Sequence, residues 1–170
     1  MRWNRVRDRV LCAALAAILV GAVRLIKRWA LTLGEGGARE GLAHVFRFSF
    51  AWNEGAAFSM LRSRPWLVVA VSAAVLLFVA GAVFLSRGLS LRVRLSLTLV
   101  LAGGLGNLID RAFRGFVVDM FNVLFIRFAV FNVADICVVV GGIGLALYYI
   151  LLADKLEPKE ESHDRAHSDH

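Results

Sequence analysis

The sequence predicts an all-α membrane protein with four transmembrane helices and a small extracytoplasmic β-containing segment between the first two. Three observations predict this architecture. The 170-residue chain is 59% hydrophobic and only 19% charged, whereas soluble domains are roughly 45–50% apolar and about 25% charged. Its charges are largely absent from four long apolar runs, and one short aromatic stretch alternates apolar and polar residues. A chain of this length is sufficient for one compact domain.

Four apolar segments predict the membrane spans. The clearest covers residues 66–86 without a charge. At about 1.5 Å per residue it matches a hydrocarbon core of about 30 Å. The first segment contains Arg24, Lys27 and Arg28, whose long side chains can snorkel to the membrane surface. A cleaved signal peptide is the alternative for this first segment, because basic residues precede its apolar run. This first span is predicted at about 10–31, and the third and fourth at about 91–109 and 132–153.

The connecting segments predict one β-containing region and one polar tail. Residues 32–64 separate the first two spans, and from Arg47 onward polar residues alternate with phenylalanines, which is the strand signal. We expect this segment to form a small extracytoplasmic sheet on the membrane surface. Residues 154–170 are polar and of mixed charge, so we expect a disordered cytoplasmic tail. The predicted division is a single four-span domain over residues 1–153, followed by this tail.

The distribution of charge and cysteine excludes several classes of protein. The net charge is +7, but the basic residues flank apolar segments, which indicates contact with anionic lipid rather than with nucleic acid. Lys and Arg divide equally between the two sides of the membrane. Only the cluster at the extreme N-terminus favours cytoplasmic termini. Cys12 and Cys137 lie in apolar runs outside any CxxC pair, so we expect buried apolar residues rather than a disulfide or metal site.

Three acids lie at the ends of the third and fourth spans, on the same side of the membrane by span counting: Asp110, Asp119 and Asp135. Burial of an ionisable side chain at membrane depth costs free energy, so such a residue is a candidate for a functional role. Asp119 and Asp135 form the best pair, because the segment between them is long enough for a chain reversal. Two carboxylates in a low-dielectric site cannot both ionise cheaply, so they share one proton. One can then accept a proton from water while the other donates to a scissile carbonyl, as in aspartic peptidases.

Polar residues near these acids fit the same site. Asn107, Asp110 and Arg111 are three and four residues apart, so they share one face of the third span. Amide side chains such as those of Asn53 and Asn132 can bind a substrate backbone that has no water to bond with. The residues expected to shape the site or to bind substrate are Asn53, Asn107, Asp110, Arg111 and Asn132.

Each acid also has a structural interpretation. Asp110 could form an ion pair with Arg111 at the end of the third span. Asp135 could be a helix N-terminal acid stabilised by the macrodipole, and Asp119 could lie in water at the interface. Other peptidase chemistries are excluded, because the sequence has no HExxH motif, no GxGD motif and no histidine near the third or fourth span. No metal or other cofactor is expected.

Four ordered blocks of sequence resemble bacterial lipoprotein signal peptidase (signal peptidase II). Each block alone is a weak signal, but the four in order, together with the four-span layout, are specific. The blocks are NEGAAF at 53–58, GLGNLIDR at 104–111, VVD at 117–119 and FNVAD at 131–135.

The resemblance implies that Asp119 and Asp135 are the catalytic dyad of an aspartic endopeptidase. It implies cleavage of the signal peptide of prolipoproteins before a diacylglyceryl-modified cysteine, by water that the two aspartates activate without a metal. It also implies a multi-pass protein of the bacterial inner (cytoplasmic) membrane, with cytoplasmic termini and the active site near the outer face. The expected partners are lipid-modified prolipoprotein substrates and membrane lipid, with no nucleic acid, and the protein is expected to be a monomer.

The first span departs from the pattern of that family. The family carries Asp-x-x-x-Lys there; Lys27 matches the lysine, whereas Val23 stands in the acid's place and Arg24 follows it. The departure implies altered substrate handling or altered stability of the first span, as in a divergent paralogue. Two other functions stay open. One is a non-catalytic paralogue that binds lipoprotein precursors or lipid. The other is a small transporter or proton-conducting subunit, because buried acids also build relays.

Overall fold

The computed structural model describes residues 2–34, 37–42, 44–54 and 64–156. Within these ranges the chain forms four helices, each with a segment long and apolar enough to cross a membrane. The predicted four-helix architecture is confirmed. The residues of the NEGAAF block from 55 onward and the predicted tail from 157 onward lie outside the described residues, and the division into domain and tail stays a prediction. The helices are α1 (Arg2–Leu31), α2 (Pro65–Leu85), α3 (Leu91–Arg114) and α4 (Val133–Leu156).

Helix α3 extends well beyond the predicted end of the third span. It continues through Asp110 to Arg114, and Gly115 then ends it in the left-handed conformation with φ of 80°. The backbone N–H of Gly115 donates to the carbonyl of Arg111. This arrangement is a common way to end a helix, because glycine adopts positive φ without a steric penalty. Asp110 therefore belongs to the last turns of a helix rather than to a loop.

A three-stranded antiparallel sheet lies at one end of the helices. Its strands, in the order β1-β2-β3, are β1 (Ala38–Glu40), β2 (Phe46–Asn53) and β3 (Val117–Val123). The alternation that predicted a strand after the first span corresponds to β2. Strand β3 follows α3 instead and was not predicted, because its first four residues are all buried and show no alternation of apolar and polar side chains. The sheet therefore combines two separate connections of the helical bundle.

The sheet packs against the C-terminal end of α1. A small core of fully buried residues, Ala30 of α1 with Val118 and Met120 of β3, joins the two elements. The rings of Trp29 and Phe48 meet edge to face, with centroids 5.2 Å apart, a favourable geometry for aromatic pairs. This contact sets the position of β3 relative to the bundle.

Helix α3 is the central helix, since it packs against α1, α2 and α4. Two glycines allow the close approach. A Cβ on Gly103 would lie 2.3 Å from the carbonyl oxygen of Ala134, and one on Gly106 would lie 2.7 Å from Cγ1 of Val23. Small residues permit such contacts between membrane helices. They bring the first turn of α4 and the C-terminal third of α1 against the segment of α3 that carries Asn107.

Candidate active site

Strand β3 places Asp119 inside the protein. Residues 117–120 are all buried, and Asp119 is 1% exposed. Asp119 pairs with Ala51 of the neighbouring strand β2. Its Oδ2 accepts a hydrogen bond of 2.9 Å from Nδ2 of Asn53, at the end of the neighbouring strand. The interpretation of Asp119 as an acid in interfacial water is therefore wrong. A buried carboxylate needs donors of this kind.

Asp135 lies in the first turn of α4 and takes part in the cap of that helix. The side-chain oxygen of Asn132 accepts from the backbone N–H groups of Ala134 (2.7 Å) and Asp135 (3.2 Å). In return, the backbone N–H of Asn132 donates to Oδ2 of Asp135 at 3.0 Å. Asparagine is a preferred N-cap because it satisfies N–H groups that have no partner within the helix. The cap defines the orientation of the Asp135 side chain locally.

Asn132 and Asn107 connect the two carboxylates. Nδ2 of Asn132 donates to Oδ1 of Asp119 at 2.6 Å and to Oδ1 of Asn107 at 3.2 Å. Nδ2 of Asn107 in turn donates to Oδ1 of Asp135 at 2.7 Å. Asn132 thus contacts one carboxylate through its side chain and the other through its backbone N–H. The two carboxylates therefore accept hydrogen bonds from the same residue, at the same end of the bundle.

The environment of Asp119 favours its neutral form. Burial raises the pKa of the Asp119 carboxyl above its ordinary value, and the negative charge of Asp135 adds to the increase. The hydrogen bonds from Asn132 and Asn53 act in the opposite direction, because they stabilise the ionised form. The net direction is upward, so Asp119 is suited to hold a proton.

Asp110 is fully buried and accepts hydrogen bonds on both of its oxygens. It does not reach the two other carboxylates directly. Its Oδ2 also accepts from the backbone N–H of Val118 at 3.2 Å, which ties α3 to β3. A buried carboxylate surrounded by cations forms a network that is costly to break. Its cationic partners are Arg24 (2.5 Å), Lys27 (2.6 Å) and Arg114.

Among the residues predicted for the site, Arg111 lies apart from the network. In the parts of the chain that the structure describes, the cations on Asp110 do not include Arg111, so the proposed ion pair between these two neighbours is not found. Asn53, Asn107 and Asn132 all contact the carboxylates or each other. A role for Arg111 in binding substrate stays a prediction.

The contribution of α1 to the site was not predicted. The expectation that Lys27 snorkels to the membrane surface is wrong, because the side chain is fully buried and donates to Asp110 and Asn107. Two cations three residues apart within an apolar segment were the available signal, since a charge at membrane depth requires a partner. Val23, one turn earlier, is also fully buried and packs on Gly106 as an apolar contact.

Comparison with known proteins decides the family. The sequence model of a family described as signal peptidase (SPase) II matches residues 14–151. The chain belongs to the signal peptidase II family. Members of this family are peptidases, and the four spans make this member a multi-pass bacterial membrane protein. The network of acids and amides described above therefore lies in a member of a peptidase family.

Individual relatives agree with this assignment. The chain is 39% identical to the lipoprotein signal peptidase of Streptococcus pneumoniae over 147 residues, which cover 83% of this chain and 93% of that protein. It is 38% identical to the lipoprotein signal peptidase of Clostridioides difficile over 140 residues, covering 81% and 93%. These matches extend the signal peptidase II assignment over most of both chains.

Solved structures share the fold. A bacterial membrane enzyme determined by the in meso method at 2.3 Å resolution superposes with a TM-score of 0.78 at 24% identity, covering 88% of this chain and 93% of that one. Another, determined at 1.9 Å, gives 0.75 at 25% identity and covers 82% and 92%. The helices and sheet of this signal peptidase II family member therefore form a known membrane-enzyme fold.

Proposed function

We propose that this chain is an aspartic endopeptidase that removes the signal peptide of prolipoproteins by cleaving before a diacylglyceryl-modified cysteine. Asp119 and Asp135 are its catalytic dyad. The relatives named lipoprotein signal peptidase support the substrate class. The observation that carries the mechanism is the position of Asn132, which donates hydrogen bonds to both carboxylates. No metal is required in this mechanism.

The two aspartates divide the acid and base roles by their exposure. Asp119 is almost fully buried and its pKa is raised, so it holds the proton. Asp135 is half-buried, closer to solvent, and its two oxygens accept N–H hydrogen bonds from Asn107 and Asn132, as suits an ionised carboxylate. We therefore assign Asp135 as the general base and Asp119 as the general acid.

Proton transfer in the proposed reaction balances over two steps. Asp135 accepts a proton from a water molecule whose oxygen attacks the scissile carbonyl, while Asp119 donates its proton to the carbonyl oxygen. The neutral tetrahedral intermediate then collapses. Asp135 passes its proton to the leaving amine, Asp119 recovers a proton from the hydroxyl group, and the C–N bond breaks. The dyad returns to its starting charge, as general acid–base catalysis requires.

The arrangement of helix ends supports a proposal for the membrane position. The C-terminal ends of α1 and α3 and the N-terminal end of α4 meet the sheet at the end of the bundle that holds the dyad. Four spans place both termini at the opposite end. We propose that the dyad faces the outer side of the inner membrane and that the termini are cytoplasmic. Exposed apolar side chains on α2 and α4 would then contact lipid, from which a lipid-modified substrate approaches.

The test is turnover by the purified protein in lipid. A diacylglyceryl-modified precursor peptide is compared with its unlipidated twin, and the product is identified by mass. We expect cleavage of the lipidated peptide only, and a loss of at least about 100-fold in Asp119→Asn and in Asp135→Asn. The matched control is Asp8→Asn, which removes an acid near the opposite end of the bundle and should leave turnover unchanged. Wild-type turnover by either dyad variant contradicts the mechanism.

The same assay separates the other functions. A non-catalytic paralogue binds the lipidated peptide without releasing product, and a proton-conducting protein produces pH-driven flux in liposomes without cleavage. Both outcomes contradict the proposed peptidase activity.

A further inference from the structure

We propose that Lys27 is a positioning residue for the dyad. By donating to Oδ1 of Asn107, Lys27 sets the orientation of the Asn107 carboxamide, so that its Nδ2 faces Asp135. This inference deepens the proposed function and rests on it. It assigns to α1 a part in the reaction although no residue of α1 contacts either aspartate through a described hydrogen bond.

The orientation of an asparagine carboxamide is determined by its partners, because its oxygen and nitrogen ends have nearly the same shape. Nζ of Lys27 lies 2.7 Å from one end of the Asn107 carboxamide, and Nδ2 of Asn132 lies 3.2 Å from the same end. An ammonium group donates and cannot accept. The atom that faces Lys27 must therefore be the oxygen, and the nitrogen at the other end faces Oδ1 of Asp135 at 2.7 Å.

A flipped carboxamide would be strongly unfavourable here. Its N–H groups would face the ammonium of Lys27, and its oxygen would face the carboxylate of Asp135. Asp135 would then lose one of its N–H donors, and its orientation would depend on the helix cap alone. In a low-dielectric site such unsatisfied contacts cost more than in water.

Lys27 is itself held in place. Its side chain is fully buried, and Nζ also donates to Oδ2 of Asp110 at 2.6 Å. Asp110 is anchored in turn by the backbone N–H of Val118 on β3. The ammonium therefore cannot move to the membrane surface without breaking its ion pair with the buried carboxylate of Asp110. One chain of contacts runs from α1 through Asn107 of α3 to Asp135 of α4.

Arg24 provides a matched control. It lies three residues before Lys27 on the same helix and pairs with the same carboxylate, but with Oδ1 of Asp110 at 2.5 Å. Its side chain is 24% exposed, and in the described part of the chain it makes no hydrogen bond to Asn107. Loss of either cation removes an ion pair from Asp110, whereas only the loss of Lys27 removes a hydrogen bond from the Asn107 carboxamide.

The kinetic test is a double-mutant cycle of Lys27→Met and Asn107→Ala on the lipidated precursor. If Lys27 acts through Asn107, Lys27→Met lowers kcat on the order of tenfold in the wild-type background and changes it less than about threefold in Asn107→Ala. Lys27→Arg, which keeps a buried donor, should recover part of the loss. An equal fold-loss in both backgrounds overturns the proposal, because it shows that Lys27 acts independently of Asn107.

A second readout does not depend on activity. The side-chain amide signals of asparagine are recorded by NMR on the full-length protein in micelles, and those of Asn107 are identified by their absence in Asn107→Ala. We expect Lys27→Met to move the Asn107 signals and Arg24→Met to leave them in place. Unmoved Asn107 signals in Lys27→Met overturn the proposal.

If Lys27→Met does not fold, Lys27→Leu, which also lacks a donor, replaces it in both measurements. If the wild type cleaves no precursor, the proposed function fails, and the NMR result alone decides the role of Lys27.

Discussion

Asn132 donates a hydrogen bond of 2.6 Å from its Nδ2 to Oδ1 of Asp119. It does so from the position that caps α4, so one asparagine orients the acid on the strand while its backbone orients Asp135 on the helix. The distance between the two carboxylates is therefore coupled to a helix cap. Misplacement of catalytic groups by about 1 Å can lower rates by about 100-fold. Substitution of Asn132, which orients both carboxylates, is therefore the most direct test of the site.

The two roles of Asn132 can be separated by substitution. Asn132→Ala loses both the cap and the contact with Asp119, so we expect lower thermal stability, by about 1 kcal/mol, together with a fall in kcat of about 100-fold. Asn132→Ser keeps an oxygen that can cap α4 but is too short to reach Asp119. It should melt near the wild-type temperature and remain as inactive as the alanine variant. Wild-type turnover in Asn132→Ser would show that the contact with Asp119 is dispensable.

The alkaline limb of the pH profile of kcat/KM should depend on Asn53. Burial raises the pKa of Asp119, while the hydrogen bond from Asn53 lowers it by stabilising the ionised form. Asn53→Ala removes that opposing effect, so the pKa of Asp119 rises further. The proposed general acid then keeps its proton to higher pH. The limb of kcat/KM that reports loss of this proton should move to higher pH.

The control for this shift is Asn122→Ala, which alters an asparagine on the same strand as Asp119 that pairs with Arg47 in the sheet. Its alkaline limb should match that of the wild type. A limb that moves to lower pH in Asn53→Ala contradicts the assignment of Asp119 as the proton donor.

Removal of the buried acid Asp110 should destabilise the whole bundle. Asp110→Asn leaves the cations of Arg24, Lys27 and Arg114 without their carboxylate, and breaking a buried ion pair by removing one partner costs about 3–5 kcal/mol. We expect a large fall in the unfolding temperature in detergent. Asp8→Asn removes the pair with Arg7, whose side chain is 58% exposed. A pair with an exposed partner contributes at most about 1 kcal/mol, so this variant should melt near the wild type. Equal melting of the two variants would contradict the structural importance of Asp110.

The contact between α1 and α3 predicts a specific rescue. Gly106→Ala places a Cβ 2.7 Å from Cγ1 of Val23, and overpacking of this kind costs about 1–3 kcal/mol. Val23→Ala makes room for the new methyl group, so the double variant should be more stable than Gly106→Ala alone. Gly81→Ala, where a Cβ meets nothing within 4 Å, is the control and should melt at or above the wild-type temperature. Absence of rescue would show that Val23 does not limit the approach of α1 to α3.

Much of the bundle could be predicted from local signals. The apolar runs predicted four helices because a membrane span must satisfy its backbone hydrogen bonds internally and over a defined length. Alternating residues predicted the strand that became β2. Acids are rare in apolar surroundings, and the length of the segment between Asp119 and Asp135 predicts that these two can meet; in the structure both contact the same asparagine.

Other features could not be assigned from local signals. Strand β3 is buried on both faces at its start, so its sequence shows no period that distinguishes a strand from a loop beside the membrane. Lys27 in an apolar segment is compatible with snorkelling, and nothing within α1 indicates that its partners lie on α3. The pairing of Asp110 with Arg24 and Lys27 depends on the packing of α1 against α3, whereas Arg114 pairs with it from the next turn of α3.

The sequence by itself therefore determined which segments cross the membrane, where one strand lies, and which acids lie in apolar surroundings where burial costs enough free energy to suggest a function. Only the tertiary structure decided how the residues of the site are held: Asp119 by strand β3, Asp135 by the cap of α4, and Asn107 by a lysine from α1. The physical reason is that hydrophobicity and periodicity are properties of neighbouring residues in the chain. Hydrogen bonds and ion pairs in a low-dielectric interior form between residues that only helix and sheet packing brings together.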